Sequence, residues 1–355
     1  MNTGARRRPR GLFPSQGRGR RRLAALAAGV LALLLSGCAL FPAFLLTAPA
    51  AAEANYGVVS LEEPEKVTAL IQQARDRGLL DEDEPLAFDP DAAFYEGFGA
   101  RDIEYYLDDS LLVLLWKENI ENACCTFAEI KVADAGQFVR KLADDRYDAG
   151  AQYFATEFAA QTGAVLTLNA DFYRFRQYGV VVYERELCRF SETPLYNGLK
   201  QYNCIDTLFV TEAGDFLCLR AGEENTPESI RDYVEENDIA FSLAFGPLLV
   251  EDHEPLPCPA YPLGEVRDTY SRAAIGQIGP RHYLYMAVNF GTYPPPWNVE
   301  QFAQQVARKP VVTAYCLDGG QTAEAVFRGK PYNYIDFGEE RKVSDVLCFF
   351  SAHGS

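Results

Sequence analysis

The feature that most constrains this chain is a dense succession of short apolar runs between residues 98 and 350. Most are too short for a typical helix, are rich in β-branched or aromatic residues, and are separated by turn-forming residues, which is typical of strands. Hydrophobic residues make up 48% of the chain, so it can bury a large core and intrinsic disorder is excluded. The predicted strands cover residues 111–116, 127–132, 164–168, 179–183, 207–210, 216–219, 240–245, 273–278, 283–288, 311–317 and 346–350.

Two amphipathic helices interrupt these strands. Thr226 is a favourable N-cap residue and is followed by Pro227 at the first helical position. Asn298 caps a second helix, whose apolar residues recur every three to four positions until a Lys-Pro pair ends it. The order strand, helix, strand across residues 283–317 suggests a crossover between parallel strands. The sequence therefore predicts an α+β fold, a mixed, largely antiparallel sheet core with flanking helices, in one domain over residues 98–355.

Residues 1–52 are typical of a targeting segment rather than of a folded domain. They contain eight arginines and no acid, and the uncharged stretch at 23–46 is long enough to cross a bilayer as a helix. This predicts an N-terminal membrane-targeting helix. Three interpretations stay open: an uncleaved signal anchor, a lipoprotein carrying its lipid on Cys38, and a signal peptide cleaved among the small residues at 48–52. All three place the rest of the chain outside the cytoplasm, membrane-anchored or secreted.

Residues 53–97 have the composition of a stalk or linker with one helix. Apolar residues fall at helical spacing within 62–77, which predicts that helix. The stretch 81–91 is acidic and interrupted by prolines, which favours a solvated linker.

The cysteines agree with an exported chain. There are nine, and eight of them follow the targeting segment. An even number in an oxidising compartment permits disulfides, although buried free thiols are the alternative.

The charge of the chain bears on its partners. There are 50 acidic and 33 basic residues, for a net charge of −17, and eight of the arginines lie in the targeting segment. Such an acidic body disfavours nucleic acid as a partner, because phosphate backbones need a basic face. The 3 histidines lie far apart and do not suggest a zinc site. We expect no cofactor, and a divalent cation held by carboxylates stays the open alternative.

The strongest candidate for chemistry is the end of the apolar run at 311–317. Asp318 follows it directly, and Gly319 and Gly320 come next. An acid at a strand end projects into the loops where sites are usually built, and glycines let a ligand approach backbone N–H groups closely. The alternative is an Asp-Gly hairpin turn.

A second candidate is the end of the run at 164–168. Asn169 and Asp171 alternate onto one face, and Phe172 and Tyr173 follow. An amide, a carboxylate and aromatic rings together suit a carbohydrate, because rings pack on the sugar and polar groups bind its hydroxyls. The alternative is an Asx turn.

A third candidate is Arg272, which opens an apolar strand. Its planar guanidinium suits a phosphate or a carboxylate, and the alternative is a structural salt bridge.

Together these segments resemble the phosphodiester glycosidase family over about residues 105–350. The family elements Asn-Leu-Asp-Gly-Gly-Gly-Ser-Ser and Ile-Asn-Gly-Gly-Phe-Phe are similar to residues 316–323 and 168–173, and Pro-Arg-Thr-Ala-Ile-Gly is similar to 271–276. Phe-Gly-Pro occurs at 245–247, and Arg-x-Val-Ser-Asp at 341–345. The chain departs from these patterns in several places, among them Cys316, Ala170 and Ala273, so the sugar specificity stays open.

The resemblance implies an extracytoplasmic glycosidase that hydrolyses a sugar-1-phosphodiester to a free sugar and a phosphomonoester, in exopolysaccharide or cell-envelope glycan metabolism. The alternative is a non-catalytic polysaccharide-binding or assembly protein on the same scaffold. The resemblance implies that Asp318 is the reacting carboxylate and that Asp171 is a second acid. Arg272 would bind the phosphate, and Asn169, Gly319 and Gly320 would orient the sugar. Phe172 and Tyr173 would form a stacking wall. The distance between the two acids would distinguish a retaining from an inverting enzyme.

Overall fold

A computed structural model describes residues 54–60, 62–89, 102–176, 179–190, 205–220, 225–257, 268–289 and 297–354. The expected membrane-targeting helix and the three interpretations of residues 1–52 lie outside the described residues. Within the ranges above, no helix is both long and apolar enough to cross a membrane.

The described chain consists of nineteen strands, four α-helices and short 3₁₀ turns. The helices are α1 (Pro64–Asp76), α2 (Ala155–Thr162), α3 (Pro227–Glu236) and α4 (Val299–Val306). The first ten strands are β1 (Asn55–Ser60), β2 (Asp102–Leu107), β3 (Leu111–Ile120), β4 (Ala123–Val132), β5 (Phe138–Leu142), β6 (Leu166–Asn169), β7 (Val181–Tyr183), β8 (Glu186–Arg189), β9 (Thr207–Thr211) and β10 (Phe216–Leu219). The others are β11 (Ile239–Leu243), β12 (Leu248–Glu251), β13 (Glu254–Pro255), β14 (Arg272–Gly279), β15 (His282–Val288), β16 (Thr313–Leu317), β17 (Ala325–Phe327), β18 (Lys330–Pro331) and β19 (Asp345–Phe349).

The largest sheet has nine strands in the order β1-β2-β3-β4-β15-β14-β16-β12-β13. A five-stranded sheet has the order β18-β17-β6-β19-β5, and smaller sheets are formed by β10-β9-β11 and β7-β8. Every strand pairing among the described residues is antiparallel. This corrects the expected mixed sheet: β15 and β16 run in the same direction, but β14 lies between them and pairs with both.

The nine-stranded sheet is covered on both faces, which explains its continuous apolar runs. In β3, Leu112 and Leu114 pack with α1 and α4 in one cluster, whereas Leu111 and Val113 pack with the five- and three-stranded sheets in another. Successive side chains of a strand point to opposite faces, so a strand buried on both faces is apolar at every position. The sheet-rich α+β architecture is therefore confirmed.

The described part of residues 53–97 belongs to this domain rather than to a stalk. Strand β1 pairs with β2 at the edge of the nine-stranded sheet. Glu84 lies in the acidic stretch, yet its carboxylate accepts hydrogen bonds from Lys131 at 2.5 Å and from His282 at 2.8 Å. Burial by itself would raise the pKa of Glu84. The two hydrogen bonds outweigh this effect and lower the pKa to about 2. The backbone N–H groups of Ala87 and Phe88 donate to a second carboxylate on the sheet.

Both predicted helix caps are present. The Thr226 hydroxyl accepts from the Ser229 N–H at 3.1 Å, and the Asn298 side chain accepts from the Gln301 N–H at 2.9 Å. These bonds satisfy N–H groups that have no partner inside the helix.

The cysteines that the structure describes are free thiols. Cys124, Cys125, Cys188, Cys218, Cys316 and Cys348 form no disulfide. Burial raises the pKa of Cys124 to about 11 and that of Cys348 to about 12, so neither is reactive at neutral pH. The expected disulfides are therefore not found among these six, and Cys204 and Cys258 lie outside the described residues.

Candidate active site

A cavity of about 260 Å³ opens where several strands end. The antiparallel register of β14 and β16 places Ala273 opposite Leu317, so Arg272 and Asp318, the next residues out, come to the same edge of the sheet. Phe172, which follows β6, and Phe245, which follows β11, form two aromatic walls of the cavity. The lining residues are Phe172, Arg176, Phe245, Tyr270, Ser271, Arg272, Leu317, Asp318, Gly319, Gly320 and Arg341.

Asp318 is the one acid among the described lining residues, and only 9% of it is exposed. Burial raises its pKa to about 6, although hydrogen bonds from Thr322 and from the Gly319 N–H and the positive charges of Arg176 and Arg341 oppose the rise. A carboxyl group with this pKa is largely ionised at neutral pH but can gain a proton in mild acid. Raised pKa values of this kind are typical of groups that take part in chemistry.

The two glycines that follow Asp318 are required by the backbone. A Cβ on Gly319 would lie 2.5 Å from the Ser271 carbonyl oxygen, and Gly320 has a φ of +65°. The Gly320 N–H donates to the same Ser271 carbonyl at 2.8 Å. The Asp-Gly-Gly sequence therefore enters a 3₁₀ turn at Gly320–Thr322 packed against the start of β14, and the alternative of a hairpin turn is wrong.

Arg272 reaches the cavity as the sequence predicted, and two further arginines join it. Arg272 donates to the Asp268 carbonyl at 2.6 Å, and its guanidinium lies 5.7 Å from the centre of the Tyr270 ring. Arg176 donates to the Phe245 carbonyl at 2.5 Å. Arg341 also lines the cavity, so three guanidinium groups face one carboxylate there. This balance of charge suits an anionic ligand.

Sequence reasoning missed the roles of both additional arginines. Arg341 is the first residue of the Arg-x-Val-Ser-Asp element, so the sequence drew attention to this position, but no role was assigned to it. Arg176 carries no motif, and its position depends on a bond to Phe245, which follows strand β11 and is distant in the sequence.

The two aromatic residues of the second motif face different environments. Phe172 lines the cavity and stacks on Phe175 at 4.6 Å, and Arg341 lies within 6 Å of both ring centres. Tyr173 does not line it: the ring stacks on Tyr147 at 5.6 Å and is 2% exposed. This corrects the expected stacking wall of Phe172 and Tyr173. The aromatic side chains that line the cavity are those of Phe172, Phe245 and Tyr270. Tyr173 therefore packs in the core beside Arg140 and Tyr147.

Asn169 lies behind the site rather than in its wall. Its amide donates to the Asp318 carbonyl at 2.7 Å and accepts from the Tyr285 hydroxyl at 2.8 Å. Its side chain is buried, so it holds the backbone of Asp318 and does not reach the cavity to orient a sugar.

Asp171, the predicted second acid, also does not line the cavity. One carboxylate oxygen accepts from the Phe172 N–H at 2.6 Å, and the other accepts from the Ala244 N–H at 2.8 Å and lies 3.4 Å from Arg140. Internal donors thus occupy both oxygens. A pair of catalytic carboxylates formed by Asp171 and Asp318 is not present, so their spacing carries no stereochemical prediction.

Another buried acid lies behind Asn169. The Glu324 N–H lies 3.3 Å from the Asn169 side-chain oxygen, and burial together with the neighbouring Glu340 raises the pKa of Glu324 to about 9. Glu324 is therefore neutral at pH 7 and is not part of the cavity wall. Among the described residues, no three His, Cys, Asp or Glu side chains are placed to hold a metal ion together.

Comparisons with known proteins identify a family for the segment that forms this cavity. The family model for phosphodiester glycosidase matches residues 162–350, which contain all the residues that line the cavity. No curated protein matches the sequence.

Solved structures with a similar fold include the zebrafish N-acetylglucosamine-1-phosphodiester α-N-acetylglucosaminidase catalytic domain, auto-inhibited by its pro-peptide. It has a TM-score of 0.51 at 14% identity, over 73% of this chain and 86% of that one. A protein from Synechocystis has a TM-score of 0.47 at 12% identity over 68% and 62% of the two chains. A protein from Burkholderia pseudomallei has a TM-score of 0.41 at 13% identity over 93% and 89%.

Proposed function

Because the chain belongs to the phosphodiester glycosidase family, we propose that it hydrolyses a sugar-1-phosphodiester to a free sugar and a phosphomonoester. The observation that carries this proposal is the composition of the cavity wall. One carboxylate, three guanidinium groups and three aromatic rings surround about 260 Å³. A sugar phosphodiester has the complementary parts: an anion for the arginines, apolar ring faces for the aromatic side chains, and a reacting anomeric carbon for the carboxylate.

The chemistry follows from these groups. The bond from the anomeric carbon to the phosphate oxygen breaks, and its electron pair leaves with the phosphate. Water supplies the new hydroxyl group of the sugar and releases its other proton to Asp318 or to solvent. Positive charge develops on the sugar ring, where ionised Asp318 stabilises it as nucleophile, base or electrostatic partner. The phosphate changes from a monoanion to a dianion, and Arg272 and Arg341 are placed to offset the added charge. Phosphate is a good leaving group, so demand on a general acid is low, which fits a wall with a single carboxyl group.

We further propose that the protein works outside the cytoplasm, on exopolysaccharide or cell-envelope glycans. The location is supported by the basic and apolar pattern of residues 1–52, and the substrate class by the phosphodiester glycosidase family. Fractionation of cells, with and without alkaline extraction of the membranes, would test it. Recovery in the cytoplasmic fraction would contradict it.

The activity is tested by incubating the purified protein with a panel of sugar-1-phosphodiesters, including an α-N-acetylglucosamine-1-phosphodiester, and following the anomeric signals by NMR. We expect free sugar and a phosphomonoester, with turnover lost in Asp318→Asn. Release of sugar-1-phosphate would mean that the bond from phosphorus to the oxygen of the other alcohol is cut, and this would refute the glycosidase. Binding without turnover across the panel would favour the non-catalytic polysaccharide-binding protein instead.

A further inference from the structure

We propose that Asp171 is a positioning residue that joins two walls of the cavity, held in place by a buried charge cluster with Arg140 and Asp345. The kinetic part of this inference rests on the proposed function, whereas its structural part does not. Asp171 is 4% exposed and does not line the cavity, so a direct catalytic role is not open to it.

Asp171 connects two segments that are distant in sequence. One oxygen accepts from the N–H of Phe172, whose ring is one wall of the cavity. The other accepts from the N–H of Ala244, 73 residues away, which directly precedes the wall residue Phe245. Arg176 donates to the carbonyl of Phe245, so the position of one guanidinium depends on the same segment. A single carboxylate therefore fixes the separation between two walls and one cation.

Arg140 and Asp345 hold this carboxylate from behind. Arg140 forms an ion pair with Asp345 at 2.7 Å, lies 3.4 Å from Asp171 and donates to the Ser242 carbonyl on β11. The Arg140 side chain is 0% exposed and those of Asp171 and Asp345 are 1% and 0% exposed. Burial raises the pKa of Asp345, since two carboxyl groups share one guanidinium away from water.

The cluster is better explained by geometry than by stability. A buried ion pair loses so much hydration that it contributes little net stability, but its directional hydrogen bonds fix the groups that they join. Asp108 supplies a matched comparison, because it is equally buried and accepts from two backbone N–H groups, those of Ser110 and Leu111, but neither lines the cavity nor belongs to the cluster.

The test compares Asp171→Asn with Asp108→Asn. Each substitution removes one buried carboxylate that accepts from two backbone N–H groups, and each keeps the side-chain size. In Asp171→Asn, the amide oxygen can accept from only one of the two N–H groups, and the amide NH₂ faces the other, which loses its acceptor. Hydrogen exchange should therefore become faster in peptides that contain Phe172 or Ala244, by about tenfold or more relative to wild type. In Asp108→Asn these peptides should stay within about threefold of wild type.

The kinetic readout uses the sugar-1-phosphodiester that the wild type hydrolyses. We expect Asp171→Asn to raise KM about tenfold with a smaller loss of kcat, and Asp108→Asn to change both by less than about threefold. A loss of kcat in Asp171→Asn with unchanged KM would make Asp171 catalytic and overturn the proposal, as would equal exchange rates in the two variants. If the wild type hydrolyses no member of the panel, the proposed function fails while hydrogen exchange still decides the positioning role.

Discussion

Replacing Asp318 by Asn should stabilise the protein at neutral pH while abolishing turnover. Burial raises the pKa of Asp318 from the ordinary aspartate value of 3.8 to about 6. A difference of about two between the folded and unfolded pKa corresponds to about 3 kcal/mol of unfolding free energy. Ionised Asp318 thus costs stability, as expected for a carboxylate that a site keeps away from water.

The sign of the effect follows from proton binding. The folded protein binds this proton more tightly than the unfolded chain does, so the wild type loses stability as the pH rises from 3.8 through about 6. Asn cannot ionise. The difference in unfolding free energy between Asp318→Asn and wild type should therefore grow by about 2.5 kcal/mol between pH 4 and pH 7, which is roughly 5 °C in Tm for a domain of this size.

The assay is urea unfolding of both proteins at a series of pH values from 4 to 8. The control is Asp232→Asn, since Asp232 is an exposed residue of α3 and its replacement should leave stability and turnover close to wild type. A stability difference that does not change with pH would refute the assigned burial of the Asp318 carboxyl group. Full turnover in the variant would remove Asp318 from the mechanism.

Three further predictions concern the site and the domain edge. The ratio kcat/KM should rise with pH through about 6 because Asp318 must be ionised, and a fall over that range would make it a general acid instead. Arg272→Lys keeps the charge but loses the planar fork, so KM should rise at least tenfold, whereas Arg231→Lys on the exposed face of α3 should leave it unchanged. His282 is buried, which lowers its pKa, but hydrogen bonds to Glu129 and Glu84 raise the pKa above 6.5 overall. The stability lost in His282→Gln should therefore be largest below pH 6.5 and should shrink as the pH rises. A loss of stability that grows with pH would contradict a protonated His282.

Most of the strands that the sequence predicted contain a run of apolar residues buried on both faces. Such runs can be recognised without knowledge of their partners, as residues 111–116 of β3 and 273–275 of β14 illustrate. Strand β5 was missed because its five residues include Arg140 and Lys141, and a charged residue ordinarily indicates a surface. Arg140 is buried there only because Asp345 and Asp171 pair with it from other strands.

The same reason explains why residues 53–97 were interpreted as a stalk. The acidic stretch around Glu84 has no local partner that would suggest burial. Its partners Lys131 and His282 lie 47 and 198 residues further along the chain, on neighbouring strands of the nine-stranded sheet. Charge composition describes a segment by itself, whereas burial of a carboxylate is decided by cations that only the fold brings near.

Residue type and strand position together predict only part of the site. Asp318 and Asp171 are both acids that follow buried strands, and both were predicted to react, yet only Asp318 reaches the cavity. Backbone N–H groups occupy both oxygens of Asp171, and Arg140 offsets its charge, so its bonding capacity is used inside the protein. Asp318 borders the cavity with a raised pKa, and its neighbouring arginines serve the cavity as well. What distinguishes the carboxylate in the cavity from the structural one is therefore the set of donors bound to each, and those donors come from segments that sequence order does not place together.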